Sequence, residues 1–224
     1  MMQGKLIVFE GVEGSGKTTQ LERSRDWLLG CGLQQCLGEF GNQIPVVVTR
    51  EPGGTSLGLG LRQLLLEGQA SPIQDRAELL LYGADRAQHV EEFLKPQLAK
   101  GVIILCDRYT DSTIAYQGYG RGLDLGLIQQ LNQIATGGLE SHLTLWLDVD
   151  AEIGLKRARQ RGAADRMEQA ELAFHQRVQQ GFTQLALSYP QRIVRIDASQ
   201  SQEEVHLAIR EILCQRLKDE GMRG

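Results

Sequence analysis

The chain has no apolar run approaching the roughly 20 residues that a membrane-spanning helix requires. Its first apolar run, Leu6-Ile7-Val8-Phe9, is too short for the core of a secretion signal and leads straight into a glycine-rich segment, so no signal peptide is expected. Positive charge is not in excess: 24 Lys and Arg stand against 28 Asp and Glu, a formal net charge of −4, which argues against a broad polyanion-binding face and against nucleic acid as a partner. Cysteine is scarce, and Cys31, Cys36, Cys106 and Cys214 form no C-x-x-C pair. With scattered histidines they offer no zinc spacing. Free thiols in a reducing, cytoplasmic setting are the expectation. Repeats, low-complexity tracts and linkers are missing as well.

What remains is an ordinary globular composition, 42% hydrophobic and 23% charged over 224 residues, a length that suits one α/β domain spanning 1–224. Short β-like runs cover Lys5–Glu10, Pro45–Arg50, Val102–Asp107, Leu143–Val149 and Arg192–Asp197. Helical patterns lie between and after them, near 17–30, 56–67, 75–100, 122–136, 151–161, 166–187 and 202–218. Such alternation predicts crossover units and a five-stranded parallel sheet with helices on both faces. Ligands on sheets of this kind bind at the carboxyl ends of the strands. Gly32–Ile44 reads as a variable loop.

The residues at those strand ends carry the chemistry. Gly11-Val12-Glu13-Gly14-Ser15-Gly16-Lys17-Thr18 fits G-x-x-x-x-G-K-[ST] and sits between a strand and a helix, the setting a P-loop requires. Glycines let the backbone wrap so that successive N–H groups point at phosphates, and the helix N-terminus adds partial positive charge. Lys17 would bridge the β- and γ-phosphates and the Thr18 hydroxyl would hold Mg²⁺. Asp107 ends the apolar strand Val102-Ile103-Ile104-Leu105-Cys106; a carboxylate there can hold Mg²⁺ directly or through water, orient an attacking group, or merely cap a helix. Arg108 can grip a phosphate bidentately or form a surface ion pair. Arg50 begins Arg50-Glu51-Pro52-Gly53-Gly54-Thr55, a sharp turn in which a strand-end arginine can take a second anion and Thr55 or Ser56 can cap the next helix.

Two helical segments add candidates. Tyr82 and Arg86 are i and i+4 and share a face, suiting either a planar base or a core tyrosine beside a solvated arginine. Lys156-Arg157-Ala158-Arg159-Gln160-Arg161-Gly162-Ala163-Ala164-Asp165-Arg166 places basic residues around a glycine break. It reads as a lid at about 151–168 that brings arginines to a transferring phosphoryl group, or as a solvated basic helix face.

Taken together the chain resembles the thymidylate kinase family, from Phe9-Glu10-Gly11 to about Asp197, through the acid-containing P-loop Gly11 to Thr19, Thr49-Arg50-Glu51-Pro52-Gly53-Gly54-Thr55, Asp85-Arg86-Ala87-Gln88-His89, and Asp107-Arg108-Tyr109 leading to Ala115-Tyr116-Gln117-Gly118. Its lid resembles the bacterial subset that carries the catalytic arginine there. The resemblance implies a P-loop nucleoside monophosphate kinase fold and transfer of the γ-phosphoryl group of ATP to dTMP, with Mg²⁺. It assigns Gly11, Val12, Glu13, Gly14, Ser15, Gly16, Lys17, Thr18 and Thr19 to ATP. Glu13 would reach the sugar 3′-hydroxyl, Tyr82 would stack on thymine where the family usually has Phe, and Arg86 and Gln117 would read the base edge with help from Thr113. Arg50 and Arg108 would bind the acceptor phosphate, Arg62 would lie near it, and Tyr116 would crowd the 2′ position. Arg157, Arg161 and Arg166 are the lid candidates beside Lys17 and Asp107, and Thr18 and Asp107 the metal ligands. A homodimer is implied too.

Rival classes find less support. The chain's asparagines, Asn42 and Asn132, are not followed by Lys, so the Asn-Lys-x-Asp of a regulatory GTPase is missing, as is the Leu-Ser-Gly-Gly-Gln of a transporter ATPase. A kinase for another nucleotide remains the nearer rival, to be decided at Tyr82, Arg86 and Gln117.

Overall fold

The apolar runs at Leu6 and Ile104 become central neighbours. A computed structural model of the chain describes residues 4–67, 72–160, 166–168 and 170–221. Five strands, β1 (Lys5–Glu10), β2 (Val46–Arg50), β3 (Ile103–Asp107), β4 (Leu143–Asp148) and β5 (Ile193–Asp197), form one parallel sheet in the order β2-β3-β1-β4-β5. All five expected strands are present, each within a residue of its predicted bounds. The three inner strands are almost wholly buried and the outer two only partly, as expected when helices cover both faces of a parallel sheet. Alternation splits the core: Ile7, Phe9 and Leu105 face a cluster with Trp146, Phe182 and Ile209, while Leu6, Val8 and Ile104 face another with Val90, Leu94 and Tyr109.

The helices among the described residues are α1 (Lys17–Trp27), α2 (Leu33–Leu37), α3 (Ser56–Leu66), α4 (Asp75–His89), α5 (Lys95–Ala99), α6 (Thr110–Thr113), α7 (Leu125–Thr136), α8 (Ala151–Arg159), α9 (Leu172–Ser188) and α10 (Gln202–Gly221). Wider π-type turns at Leu28–Gly32 and Val90–Leu94 continue α1 into α2 and α4 into α5. Thr55 caps α3 by accepting from Gly58 N, and Asp124 caps α7 by accepting from Leu127 N.

Three expectations need correction. Gly32–Ile44 is not an open loop: α2 and a 3₁₀ stretch, Gly38–Gln43, occupy it. Residues 110–120, which fall outside the expected helices, coil into α6 and a π-helical segment, Ile114–Gly120; α9 packs closely enough there that a Cβ on Gly120 would lie 2.6 Å from Phe174. Two of the cysteines are not free. Cys36 on α2 and Cys214 on α10 form a disulfide, their Cα atoms 4.8 Å apart, because these helices pack together although 178 residues separate them in sequence. Cys31 is free and exposed, Cys106 free and buried.

Register sets the site. Phe9, Asp107 and Arg50 are partners across β1, β3 and β2, so Glu10, Asp107 and Arg50 reach the same carboxyl edge together. From β3 the chain crosses β1 to continue in β4, and the crevice opens where its direction reverses.

Candidate active site

The loop after β1 folds tightly for a steric reason. Gly14 has φ 71°, and a Cβ there would lie 1.9 Å from the Gly154 carbonyl of α8. Lys17 turns back over the loop: Nζ donates to Gly11 O (3.0 Å), Val12 O (2.9 Å) and Ser15 Oγ (3.4 Å). Burial, and then the nearby Arg108 charge, bring its pKa down to about 8. Thr18 Oγ1 donates to Asp107 Oδ2 at 3.2 Å. The other carboxylate oxygen, Asp107 Oδ1, is buried with no hydrogen-bond partner among the described residues. A hydroxyl and a carboxylate left part-satisfied suit a hard cation that takes oxygen ligands.

Arg108 faces this loop from the end of β3. Its φ is 70°, a left-handed conformation that a residue bearing a Cβ adopts at a cost of about 1–2 kcal/mol. The strain persists because the residue is held on all sides. Nη1 donates to Gly11 O (3.0 Å) and Ser112 Oγ (3.1 Å), and Nη2 to Glu13 Oε1 (2.8 Å) and Tyr116 Oη (3.0 Å). Tyr116 Oη in turn donates to Glu13 Oε1 at 2.8 Å. Burial alone would raise the Glu13 pKa, but Arg108, Lys17 and the Tyr116 hydroxyl outweigh it and hold the carboxyl at about 2. Glu10, which the sequence placed only at a strand end, organises the segment: it accepts from Tyr109 N (2.9 Å), Ser112 N (3.1 Å) and Ser112 Oγ (2.6 Å). Burial in first place pushes its pKa up to about 7.

A cavity of about 240 Å³ joins these parts. Arg50, Arg62, Tyr82, Arg86, Thr113 and Gln117 line it together with Glu13, Lys17, Thr18, Asp107, Arg108 and Tyr116, which brings most of the sequence-derived candidates around one space. Arg50 makes no hydrogen bond or ion pair among the described residues, which leaves its guanidinium available to a ligand. Arg62 Nη1 donates to Pro52 O at 3.0 Å. Arg86 is sunk in the wall, donating to Glu51 Oε2 (2.8 Å), Thr113 Oγ1 (2.8 Å), Asn132 Oδ1 (2.9 Å) and Tyr109 O (3.0 Å). One of its five N–H groups makes no hydrogen bond to a described residue, and the side chain lines the cavity. Burial raises the Tyr82 pKa, so its phenol stays neutral.

The basic segment lies differently. Arg157 Nη1 donates to Ala198 O at 3.0 Å, beyond β5. Arg166 donates to Leu65 O at 2.8 Å and pairs with Glu78, away from the P-loop. Arg161 lies outside the described residues, as does the Gly162 break.

Several working residues escaped the sequence reading. Glu51 accepts from Arg86 and meets His89 Nδ1 at 2.9 Å, and His89 Nε2 meets Thr49 Oγ1 at 2.7 Å. The Arg86 to His89 spacing of i, i+3 was a usable cue, since both face the same way on α4. Asn132 and Glu78 offered none.

A P-loop that meets arginines across a shared cavity, with a hydroxyl and a carboxylate beside its lysine, defines a nucleotide kinase of the P-loop class. Known proteins narrow this. A family model for thymidylate kinase matches residues 9–209. A thymidylate kinase of Nostoc punctiforme is 61% identical over 219 residues, covering 97% of this chain and 99% of its own. One of a Cyanothece species is 61% identical over 226 residues, covering 96% of each. A crystal structure of thymidylate kinase from Ehrlichia chaffeensis superimposes with a TM-score of 0.72 at 35% identity, covering 94% of this chain and 99% of its own. The chain therefore belongs to the thymidylate kinase family and is an enzyme, a transferase that phosphorylates dTMP with ATP.

Proposed function

We propose that the chain is a single kinase domain in which the site residues divide the work between two nucleotides. ATP lies along Gly11 to Thr19, its phosphates on the loop amides and on Lys17, which gives up its contacts to the loop carbonyls. Thr18 and Asp107 would hold Mg²⁺, which neutralises phosphate charge; such sites complete their shell with water and phosphate oxygens. The acceptor phosphate takes Arg50 and Arg108. Tyr82 stacks on thymine, Arg86 and Gln117 read its edge with Thr113, Glu13 reaches the 3′-hydroxyl and Tyr116 closes the 2′ position. Arg62 stands behind the acceptor. Within 151–168, Arg157, Arg161 and Arg166 are the candidates for the transferring group, and Arg166 serves only after leaving Glu78.

Transfer then needs alignment and charge neutralisation rather than a strong base, because the acceptor phosphate is already ionised at neutral pH. The observation that carries this reading is the Arg108 guanidinium, which reaches Gly11 of the P-loop and Glu13 and Tyr116 of the acceptor side at once. A coupled assay over nucleoside monophosphates tests it. Turnover should be highest with dTMP and nearly lost in Lys17→Ala with the fold intact. Equal turnover across the panel, or near-normal rates in that variant, would contradict it.

A homodimer is implied by the family resemblance, and exposed apolar residues are consistent with it. Leu57, Leu59 and Leu64 of α3, Leu80 of α4 and Leu127 and Ile134 of α7 are exposed, Ile134 by 79% and Leu80 by 60%. Both α3 and α7 pack against α4, so the elements that carry these residues are neighbours. Among the described residues no helix is long and apolar enough to cross a membrane, and a cytoplasmic setting accords with a nucleotide substrate.

A further inference from the structure

Glu78 lies under the base end of the cavity, one helical turn before Tyr82, and is fully buried. It does not line the cavity. Its carboxylate accepts from Gln117 Nε2 at 2.9 Å, from Arg121 Nη2 at 3.3 Å and from Arg166 Nη2. Burial disfavours the charge, yet Gln117, Arg166 and Arg121 together bring its pKa below the ordinary value, so it is ionised at neutral pH. An ionised carboxylate only accepts hydrogen bonds. The amide of Gln117 therefore has one orientation: NH₂ toward Glu78 and carbonyl toward the cavity that Gln117 lines. Among the described residues no donor reaches that carbonyl oxygen. Beside it, Arg86 can only donate. Of these two side chains, Gln117 thus presents an acceptor and Arg86 a donor.

We propose that Glu78 is a positioning residue that fixes the amide of Gln117 and thereby selects pyrimidines with an N3–H and a 4-oxo group over those with a bare N3 and a 4-amino group. The inference rests on the reading that Gln117 and Arg86 face the base. Thymine and uracil offer a donor at N3 and an acceptor at O4, matching Gln117 and Arg86. Cytosine offers the reverse at both positions. A site that leaves buried polar groups facing like partners discriminates strongly.

The test is Glu78→Gln. Arg121 would draw the carbonyl of the new amide, leaving its NH₂ toward Gln117, which must then turn its own NH₂ into the cavity. Measured as kcat/KM with dTMP, dUMP and dCMP, the preference for dTMP over dCMP should fall about tenfold or more, mainly through the acceptor KM, with the ATP KM within about twofold of wild type. Glu78→Asp keeps the charge for the two arginines but draws back from Gln117, so it should relax the same ratio while preserving the fold. Gln117→Leu should lower the ratio as well. If Gln117→Leu shifts the ratio and neither Glu78 variant does, Glu78 is only structural and the inference fails. If Gln117→Leu leaves it unchanged, the base is not read there, and both this inference and the reading beneath it fall.

Discussion

Removing the Arg108 side chain tests the division of labour most directly. In the free protein its Nη2 makes two hydrogen bonds, to Glu13 and Tyr116, at 2.8 and 3.0 Å. On the proposed reading, those donors are the ones the acceptor phosphate would take. Hydrogen bonds to charged groups contribute about 1.5–3 kcal/mol each. Two of them, at the lower end of that range, come to about 3 kcal/mol, or roughly 10²-fold in kcat/KM for dTMP. Arg108→Lys keeps the charge but not the fork and should lose about tenfold. Backbone strain separates folding from function. At φ 70°, Arg108→Gly should be about 1 kcal/mol more stable than Arg108→Ala, since both lose the same side chain and only glycine relaxes the backbone. Steady-state kinetics with either substrate varied, beside urea unfolding of both variants, supplies the numbers. A kcat/KM for dTMP within threefold of wild type in Arg108→Ala would refute the assignment, and glycine no more stable than alanine would refute the strain argument.

Other outcomes follow from the same geometry. Tyr82→Ala should raise the dTMP KM several-fold and leave that for ATP nearly unchanged; equal rises would exclude stacking on thymine. The Glu13 carboxyl is depressed to about 2, so its stabilisation is complete above the unfolded value near 4.5 and is lost as pH falls toward 2. Unfolding free energies of wild type and Glu13→Gln, compared from pH 6 down to 2, should therefore converge by about 3 kcal/mol; parallel curves would remove the carboxylate from that role. The Cys36–Cys214 bond closes a loop of 178 residues, worth up to about 5 kcal/mol through the unfolded chain. Thermal unfolding with and without a dithiol, and of Cys36→Ser, should show that loss, and coincident transitions would contradict it.

Local pattern carried far in this chain. Strand bounds were legible because buried parallel strands are short apolar runs ended by turn residues, as at Leu6 to Glu10 and Ile103 to Asp107. The P-loop was legible because its glycines, lysine and threonine fall at a fixed local spacing between a strand and a helix. The helix over 110–120 was not, since it is a short segment whose close packing against α9 exists only in the fold. The pairing of Cys36 with Cys214 was hidden for a related reason: the contact exists only once α2 and α10 meet.

By itself, then, the order of residues determined the alternating α/β architecture, the phosphate loop and the arginines offered to anions, because each depends on neighbours a few positions away. Only the tertiary structure decided how those arginines are engaged: Arg108 on Glu13, Arg86 on Glu51, Arg166 on Glu78, with Arg50 left open. Those partners lie 35 to 95 positions apart in the chain. Charge and hydrogen bonding act over a few ångströms in space, a distance that folding sets and sequence spacing does not reveal.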